Sequence, residues 1–356
     1  MKDRIKKLNE KINRENLDLL LVTTPTNVRY LCGYTGSNGI LLVSENESIF
    51  LTDFRYKEQV KKEVKGSKIK IAQRELFSTL PEINLLKEKR VKAGFEAKNL
   101  SFKLYEKLKA LFPEVLWVPT EDLVESFLAT KDEEEIKRIK KAADISAKVY
   151  QEVLPLFKPG TKELEISAEI EYRIRMNGGT GSAFEPIVAS GIRSAMPHAR
   201  ASSKRLKKGE FITLDFGASY EGYVCDITRT VVLGRATARQ KKIYNLVLKA
   251  QTKAIENTRS EMKGFELDKI AREVIKKAGF QNYFGHGLGH GIGLLVHEGP
   301  GINTKSQEVL KPGMVITIEP GIYIPGWGGV RTEDDVLISR NGCRVLTQID
   351  RELLEL

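Results

Sequence analysis

The chain has 356 residues, enough for two domains that each bury a core, and its 41% hydrophobic and 29% charged composition describes a soluble globular protein. Its net charge of +11 comes from Lys and Arg interleaved with Glu and Asp, without a basic block or a basic motif interleaved with aromatics. This argues for a solvated surface and against nucleic acid as a partner. Three widely spaced cysteines (Cys32, Cys225, Cys343) with no CxxC pattern exclude a disulfide framework and a thiolate zinc site. No apolar run reaches about 18 residues, so no membrane span is expected and a cytoplasmic protein follows.

In chain order, Ile5, Leu8 and Ile12 have helical spacing in a charged segment, unlike the apolar core of a signal peptide. Residues 17–23 read as a buried strand, and NVRYLCGYTGSNGILLV as glycine-rich loops leading into another strand. SIFLTDFRY and KIKIAQ add strands, and the Lys- and Glu-rich segments between them read as helices, which argues for an α/β domain. After Pro119 the pattern changes. Thr130 with Glu133 predicts a capping box opening a long helix whose inward stripe is Ile136, Ile139, Ala143 and Val149. The boundary therefore falls near residue 125, giving domains 1–125 and 126–356. A helix over about 161–176 follows, with Ile166, Ile170 and Ile174 on one side and Gly178 and Gly179 as its stop. From Ala183 the chain is mostly strand-like, broken by helical runs after Thr237 and Phe265, which predicts an α+β domain.

FITLDFGASYEGYVCDITRTVV predicts a β-hairpin turning near Tyr220 and Glu221, which sets Asp215 directly opposite Asp226 on one face. Like charges so placed destabilise a sheet unless a cation lies between them. Downstream, GHGLGHGIG supplies His286 and His290 four residues apart. Five alternate glycines would each cost about 1 kcal/mol in a helix, so the segment is strand or loop, and its glycines suit close approach to a metal or substrate. In MVITIEPGIYIPGWGGVRTEDDVLIS, Glu319 and Glu333 are equidistant from Gly326, so a second hairpin again opposes two acids. Arg331 shares the face of Glu333, where its fixed charge can orient a carboxylate or a polar substrate group. A site collecting Asp215, Asp226, His290, Glu319 and Glu333 holds four carboxylates and one imidazole. Two divalent ions balance that charge and one does not; oxygen-rich ligation with a single His favours Mn²⁺ or Co²⁺, with Fe²⁺ and Zn²⁺ as alternatives.

The ordered set Asp215, Asp226, His290, Glu319 and Glu333, with MPH at His198 and VHE at His297, resembles the pita-bread metallopeptidases. NVRYLCGYTG and LTDFRY are similar to the N-terminal domain of aminopeptidase P, prolidase and creatinase, so the resemblance covers essentially the whole chain. It implies a creatinase-like α/β domain followed by an α+β pita-bread catalytic domain, two bound metal ions and a homodimer. By the same resemblance, Asp215 and Glu333 bridge both ions, Asp226 completes one and His290 with Glu319 the other. Glu319 also shuttles the proton, His198 and His297 hold the scissile carbonyl and its oxyanion, and His286, Tyr323 and Arg331 line or support the proline-side pocket. Phe184 is a candidate pocket wall. Two domains argue against methionine aminopeptidase, and a full ligand set argues against creatinase. The remaining contest is aminopeptidase P, acting on peptides with proline in second position, against prolidase, restricted to Xaa-Pro dipeptides. Archaeal-type prolidases carry an arginine where HEGPGIN places Gly301, which favours aminopeptidase P, with prolidase as the alternative and a non-catalytic binding module as a distant third.

Overall fold

The computed structural model describes residues 2–73, 75–87 and 90–356, and the chain divides into two compact units, Met1–Phe127 and Leu128–Leu356. In the first, the helix Lys2–Arg14 buries Leu8 and Ile12 completely. Six strands follow: β1 (Leu19–Val22), β2 (Ile40–Ser44), β3 (Ser48–Asp53), β4 (Lys68–Ala72), β5 (Lys92–Glu96) and β6 (Leu116–Thr120). They form one mixed sheet in the order β4-β3-β2-β1-β5-β6, parallel except where β2 pairs with β1 and β3. The stretch expected as glycine-rich loop begins instead with a helix, Pro25–Cys32. Proline in the first turn lacks a donor that would have gone unused there, and Gly33, at φ 86°, ends the helix by donating to the Arg29 carbonyl.

The second unit carries the remaining strands: β7 (Gly181–Ser182), β8 (Ile187–Ser190), β9 (Phe211–Phe216), β10 (Ala218–Tyr220), β11 (Tyr223–Val224), β12 (Ile227–Val232), β13 (Gly289–Gly291), β14 (Glu298–Ile302), β15 (Val315–Ile318), β16 (Gly321–Ile324), β17 (Gly328–Arg331), β18 (Asp334–Ser339) and β19 (Gly342–Val345). They pair as β11-β10-β7, β12-β9-β8, β14-β13-β15-β18-β19 and β16-β17. Helices Glu133–Val153 and Glu163–Met176 pack Ile145, Val149, Ile166, Ile170 and Ile174 against the inner residues of β8, β9 and β12. Helices Ala238–Asn257 and Gly264–Lys277 cover β15, β16 and β18 with a second core around Tyr244, Val247, Leu267 and Ile316.

The long helix starts two residues later than expected. Asp132, not Thr130, accepts from the N–H of Glu135, whose side chain returns the bond, while Thr130 forms a bridge with Met314. Glu135 is buried, and its carboxylate also accepts from the Tyr223 hydroxyl at 2.8 Å.

Behind the hairpins lies Arg229, only 2% exposed. Its guanidinium donates to the carbonyls of Thr228, Glu333, Ile349 and Asp350 and to the Asp334 carboxylate at 2.6–2.9 Å. A charge so fully desolvated is tolerable only with every donor used. Replacing Arg229 with Met should lower stability by about 3 kcal/mol, read by urea unfolding; the loss stays at the low end because Arg351 also holds Asp334, at 2.6 Å.

Candidate metal centre

The acids sit where sheets break. Asp215 is near the end of β9, Asp226 lies between β11 and β12, Glu319 between β15 and β16, and Glu333 between β17 and β18. On the second hairpin, β16 pairs with β17 and β15 with β18 in one continuous register, Gly321 facing Arg331 and Ile318 facing Asp334. Glu319 and Glu333 are the opposed positions between these ladders.

The first hairpin differs from the expectation. Its turn residues are Glu221 and Gly222, both at positive φ (45° and 76°), and Tyr220 pairs with Tyr223. That is one residue further along than a turn at Tyr220 and Glu221, so the register slides by two. Asp215 faces Thr228, and Asp226 is its diagonal neighbour rather than its direct partner. A slide of two preserves the face. At the break the backbones close up: a Cβ on Gly217 would lie 1.8 Å from the Cys225 carbonyl oxygen.

His290 lies on β13, which adopts strand rather than helix, as the glycines require. Two of those glycines are required by the neighbouring strands, since a Cβ would lie 2.1 Å from the Thr317 carbonyl oxygen at Gly289 and 2.1 Å from the Gly299 carbonyl oxygen at Gly291; Gly287 and Gly289 also line the site cavity. Donor atoms of Asp226, His290 and Glu333 lie within 4.8 Å of one another, and His290 Nε2 is 3.4 Å from Glu319 Oε1. Asp215 turns toward Arg331, with which it forms a short buried ion pair.

These residues open on a cavity of about 630 Å³ lined also by Phe184, His198, His286, His297, Gly301 and Asn303. All four histidines of the chain therefore meet at one cavity. Tyr323 is not part of the lining; it stands behind it in a directional chain. Arg331 donates to the Tyr323 hydroxyl (2.8 Å), which donates to His286 Nε2 (2.9 Å), whose Nδ1–H reaches the Gly287 carbonyl (2.7 Å). The Gly287 carbonyl can only accept, so Nδ1 carries a proton, and burial, which lowers His286 to about 4, keeps the ring neutral with Nε2 as acceptor. Arg331 further donates to Thr228 Oγ1 (2.9 Å), and the Thr228 hydroxyl donates to Glu333 Oε2 (2.5 Å).

Burial dominates the electrostatics. It pushes the Glu319 carboxyl up to about 8, with Arg331 pulling down and Asp215 adding repulsion. Burial, then repulsion by Glu333, Asp215 and Glu319, raises Asp226 well above the carboxylate range, and burial with repulsion by Glu319 and Asp215 does the same to Glu333. His290 is brought down to about 4, chiefly by burial. Its Nδ1 meets the Gly291 carbonyl at 3.1 Å, so the neutral ring carries its proton there and offers Nε2 toward the acids. Buried oxygens Asp215 Oδ1 and Asp226 Oδ1 have no hydrogen-bond partner. Mutually repelling acids, orphaned carboxylate oxygens and a neutral imidazole fit divalent cations.

Sequence reasoning missed Asp335. Fully buried, it accepts the Asp226 N–H at 3.1 Å, while its other oxygen is unpartnered. Its position two residues past Glu333 on one strand face was the available signal.

Residues 137–340 match Metallopeptidase family M24, and residues 4–127 match the Creatinase/Prolidase N-terminal domain. The chain belongs to metallopeptidase family M24: it is a metallopeptidase with a creatinase N-terminal domain ahead of a pita-bread catalytic domain, and divalent metal ions come with that membership. It is 40% identical to a Xaa-Pro dipeptidase of Pyrococcus furiosus, covering 99% of this chain and 100% of that one. Among solved structures it is similar to a Xaa-Pro dipeptidase from Bacillus anthracis (TM-score 0.96, 40% identity, 99% of each chain). It is also similar to an X-Pro aminopeptidase from Thermotoga maritima (TM-score 0.91, 37% identity, 97% of this chain and 100% of that one). No helix among the described residues is long and apolar enough to cross a membrane.

The buried acids carry a pH signature. A carboxyl raised to about 8 from 4.5 contributes stability that is full below pH 4.5 and lost as pH rises to 8. His286 and His290, both lowered to about 4 from 6.5, act oppositely, losing stability as pH falls from 6.5 toward 4. Between pH 6.5 and 8 only the carboxyls operate. The metal-stripped protein should therefore melt at lower temperature as pH rises across that window, and saturating Mn²⁺ should remove the slope; equal slopes with and without metal would contradict it.

Proposed function

We propose that this protein is a Xaa-Pro dipeptidase, hydrolysing the bond between a first residue and a C-terminal proline with two divalent ions, Mn²⁺ or Co²⁺ before Fe²⁺ or Zn²⁺. The observation that carries the reading is end-to-end similarity at 40% identity to Xaa-Pro dipeptidases. It displaces the preference for aminopeptidase P drawn from Gly301 alone. Asp215, Asp226, His290, Glu319 and Glu333 would hold the ions, which when bound lower the pKa of water and polarise the scissile carbonyl.

The side chains then divide the work. Arg331 holds Asp215, and Thr228 holds Glu333, so both carboxylates keep one orientation. Glu319 is placed by the Thr317 hydroxyl at 3.3 Å; burial makes its ionised carboxylate unusually basic, which suits a group that takes a proton from the attacking water and then, protonated, delivers it to the proline nitrogen. His198 and His297, exposed at the cavity, are the donors for the carbonyl oxygen as it gains charge. Phe184 walls the pocket, and the His286–Tyr323–Arg331 chain stiffens its proline side.

A second reading, removal of the first residue from longer Xaa-Pro peptides, is favoured by one feature. Arg331 is the only lysine or arginine among the described residues lining the cavity, and it is committed to Asp215 and Tyr323. A terminal carboxylate therefore meets Gly301 and Asn303 rather than a cation. The resemblance further supports a homodimer, and the free cysteines a reducing, cytoplasmic setting.

The discriminating assay compares Xaa-Pro with Xaa-Pro-Yaa under Mn²⁺ or Co²⁺. Faster turnover of the dipeptide is expected; turnover of the tripeptide alone would establish the second reading. Glu319→Gln should lower kcat by about 10²–10⁴-fold with the protein still folded by circular dichroism, and His297→Ala by about 10²–10³-fold.

A further inference from the structure

Besides Arg229 with Asp334, a further buried ion pair lies outside the ligand set. Lys131 Nζ and Glu298 Oε2 are 2.9 Å apart with side chains 1% and 3% exposed. Lys131 precedes the Asp132 cap of the long helix, and its backbone is fixed by its N–H to the Gly313 carbonyl at 2.9 Å. Its side chain points inward, donating also to the Ala129 carbonyl at 3.2 Å. The other carboxylate oxygen, Glu298 Oε1, accepts the N–H groups of Leu294 and Leu295 at 2.7 and 2.9 Å. One carboxylate thus ties the turn at 294–295 back to residue 298, and the residue enclosed next to it is His297. The turn is pressed onto the pair: a Cβ on Gly293 would lie 2.7 Å from Lys131 Cε and 2.8 Å from Glu298 Oε2.

A buried ion pair is poor evidence of stability, since apolar side chains of similar size do as well. What apolar side chains cannot supply is an acceptor of fixed direction for two loop amides. The His297 ring rests on His290, with centroids 4.4 Å apart, so a shift of the turn moves the ring within the cavity. From this geometry we infer that Lys131 is a positioning residue: by orienting the Glu298 carboxylate it fixes the 294–297 turn and so sets His297 against the substrate carbonyl. The inference rests on the role proposed for His297. Lys131 also lies close enough for its charge to act on Asp335, which receives the Asp226 N–H, so the test must separate the two routes.

The test uses the Mn²⁺-loaded full chain and Lys131→Met. Amide exchange at Leu294 and Leu295 should rise at least tenfold while Gly291 is unchanged, and kcat on the Xaa-Pro substrate should fall at least tenfold with KM within about twofold. In a His297→Ala background Lys131→Met should change kcat by less than twofold, because both act through one ring. Should Lys131→Met not fold, Lys131→Met/Glu298→Met leaves no unpaired buried charge and should give the same exchange and kcat changes. Unchanged exchange would overturn the tie itself, with or without activity. Raised exchange with unchanged kcat would overturn the positioning role, as would a full tenfold loss persisting in the His297→Ala background, which would assign the effect to the Asp335 side. A wild-type protein inactive on both proline peptides would instead sink the proposed reaction, leaving the exchange result to decide the tie.

Discussion

Removing several carboxylates from water within a few ångströms of one another is the constraint on which the catalytic unit depends. Asp226, Glu333 and Asp335 are buried, Glu333 and Asp335 repel Asp226, and Glu319, across the hairpin, repels all three. The protein's own cations offset only the periphery of this charge: Arg331 answers Asp215, Arg229 and Arg351 answer Asp334, and Lys131 answers Glu298. At the centre, where Asp226, His290 and Glu333 converge, Arg331 pulls Glu333 down without overcoming its burial and the repulsion from Glu319 and Asp215. A fold that surrounds its acids with pairs but leaves the middle unbalanced is organised for an external positive charge.

The same arrangement explains why so many contacts are directional. Arg331 can only donate and the Gly287 carbonyl can only accept, so with a neutral His286 between them the Tyr323 hydroxyl and the ring keep a single proton order outward from Asp215. Thr228 serves two masters, receiving from Arg331 and donating to Glu333, and thereby couples the two hairpins through one hydroxyl. Arg229, next in sequence, points away from that face and holds the Glu333 carbonyl from behind. Alternation along β12 puts the site on one side of the strand and its anchor on the other.

Much of this was legible in the chain, for identifiable reasons. The opposition of Glu319 and Glu333 could be read because the turn at Gly326 is symmetric and both arms keep one register. The first hairpin turns one residue later than its sequence pattern predicts, because Glu221 and Gly222 together take the left-handed conformation at its tip. Its face was nonetheless right, since the error moved the register by an even number. The helix Pro25–Cys32 was hidden by the glycines that follow it, and the true cap Asp132 by an equally good Thr130–Glu133 pattern two residues upstream. Asp335, Lys131 and Glu298 are not legible in this way, because each, taken alone in sequence, is an ordinary surface charge and only tertiary packing makes it dry.

The shared register of the second hairpin also limits how the chain length can change. A residue added at the tip, around Gly326, lengthens a loop and leaves every pair intact. A residue added within one arm, between Glu319 and Ile324 or between Gly328 and Glu333, sends one acid to the opposite face. The ladder beyond the acids, Ile318 with Asp334, prevents the slip from being absorbed further out. Length variation among proteins built on this plan should therefore collect at the tip, while the arms on either side change length together or not at all.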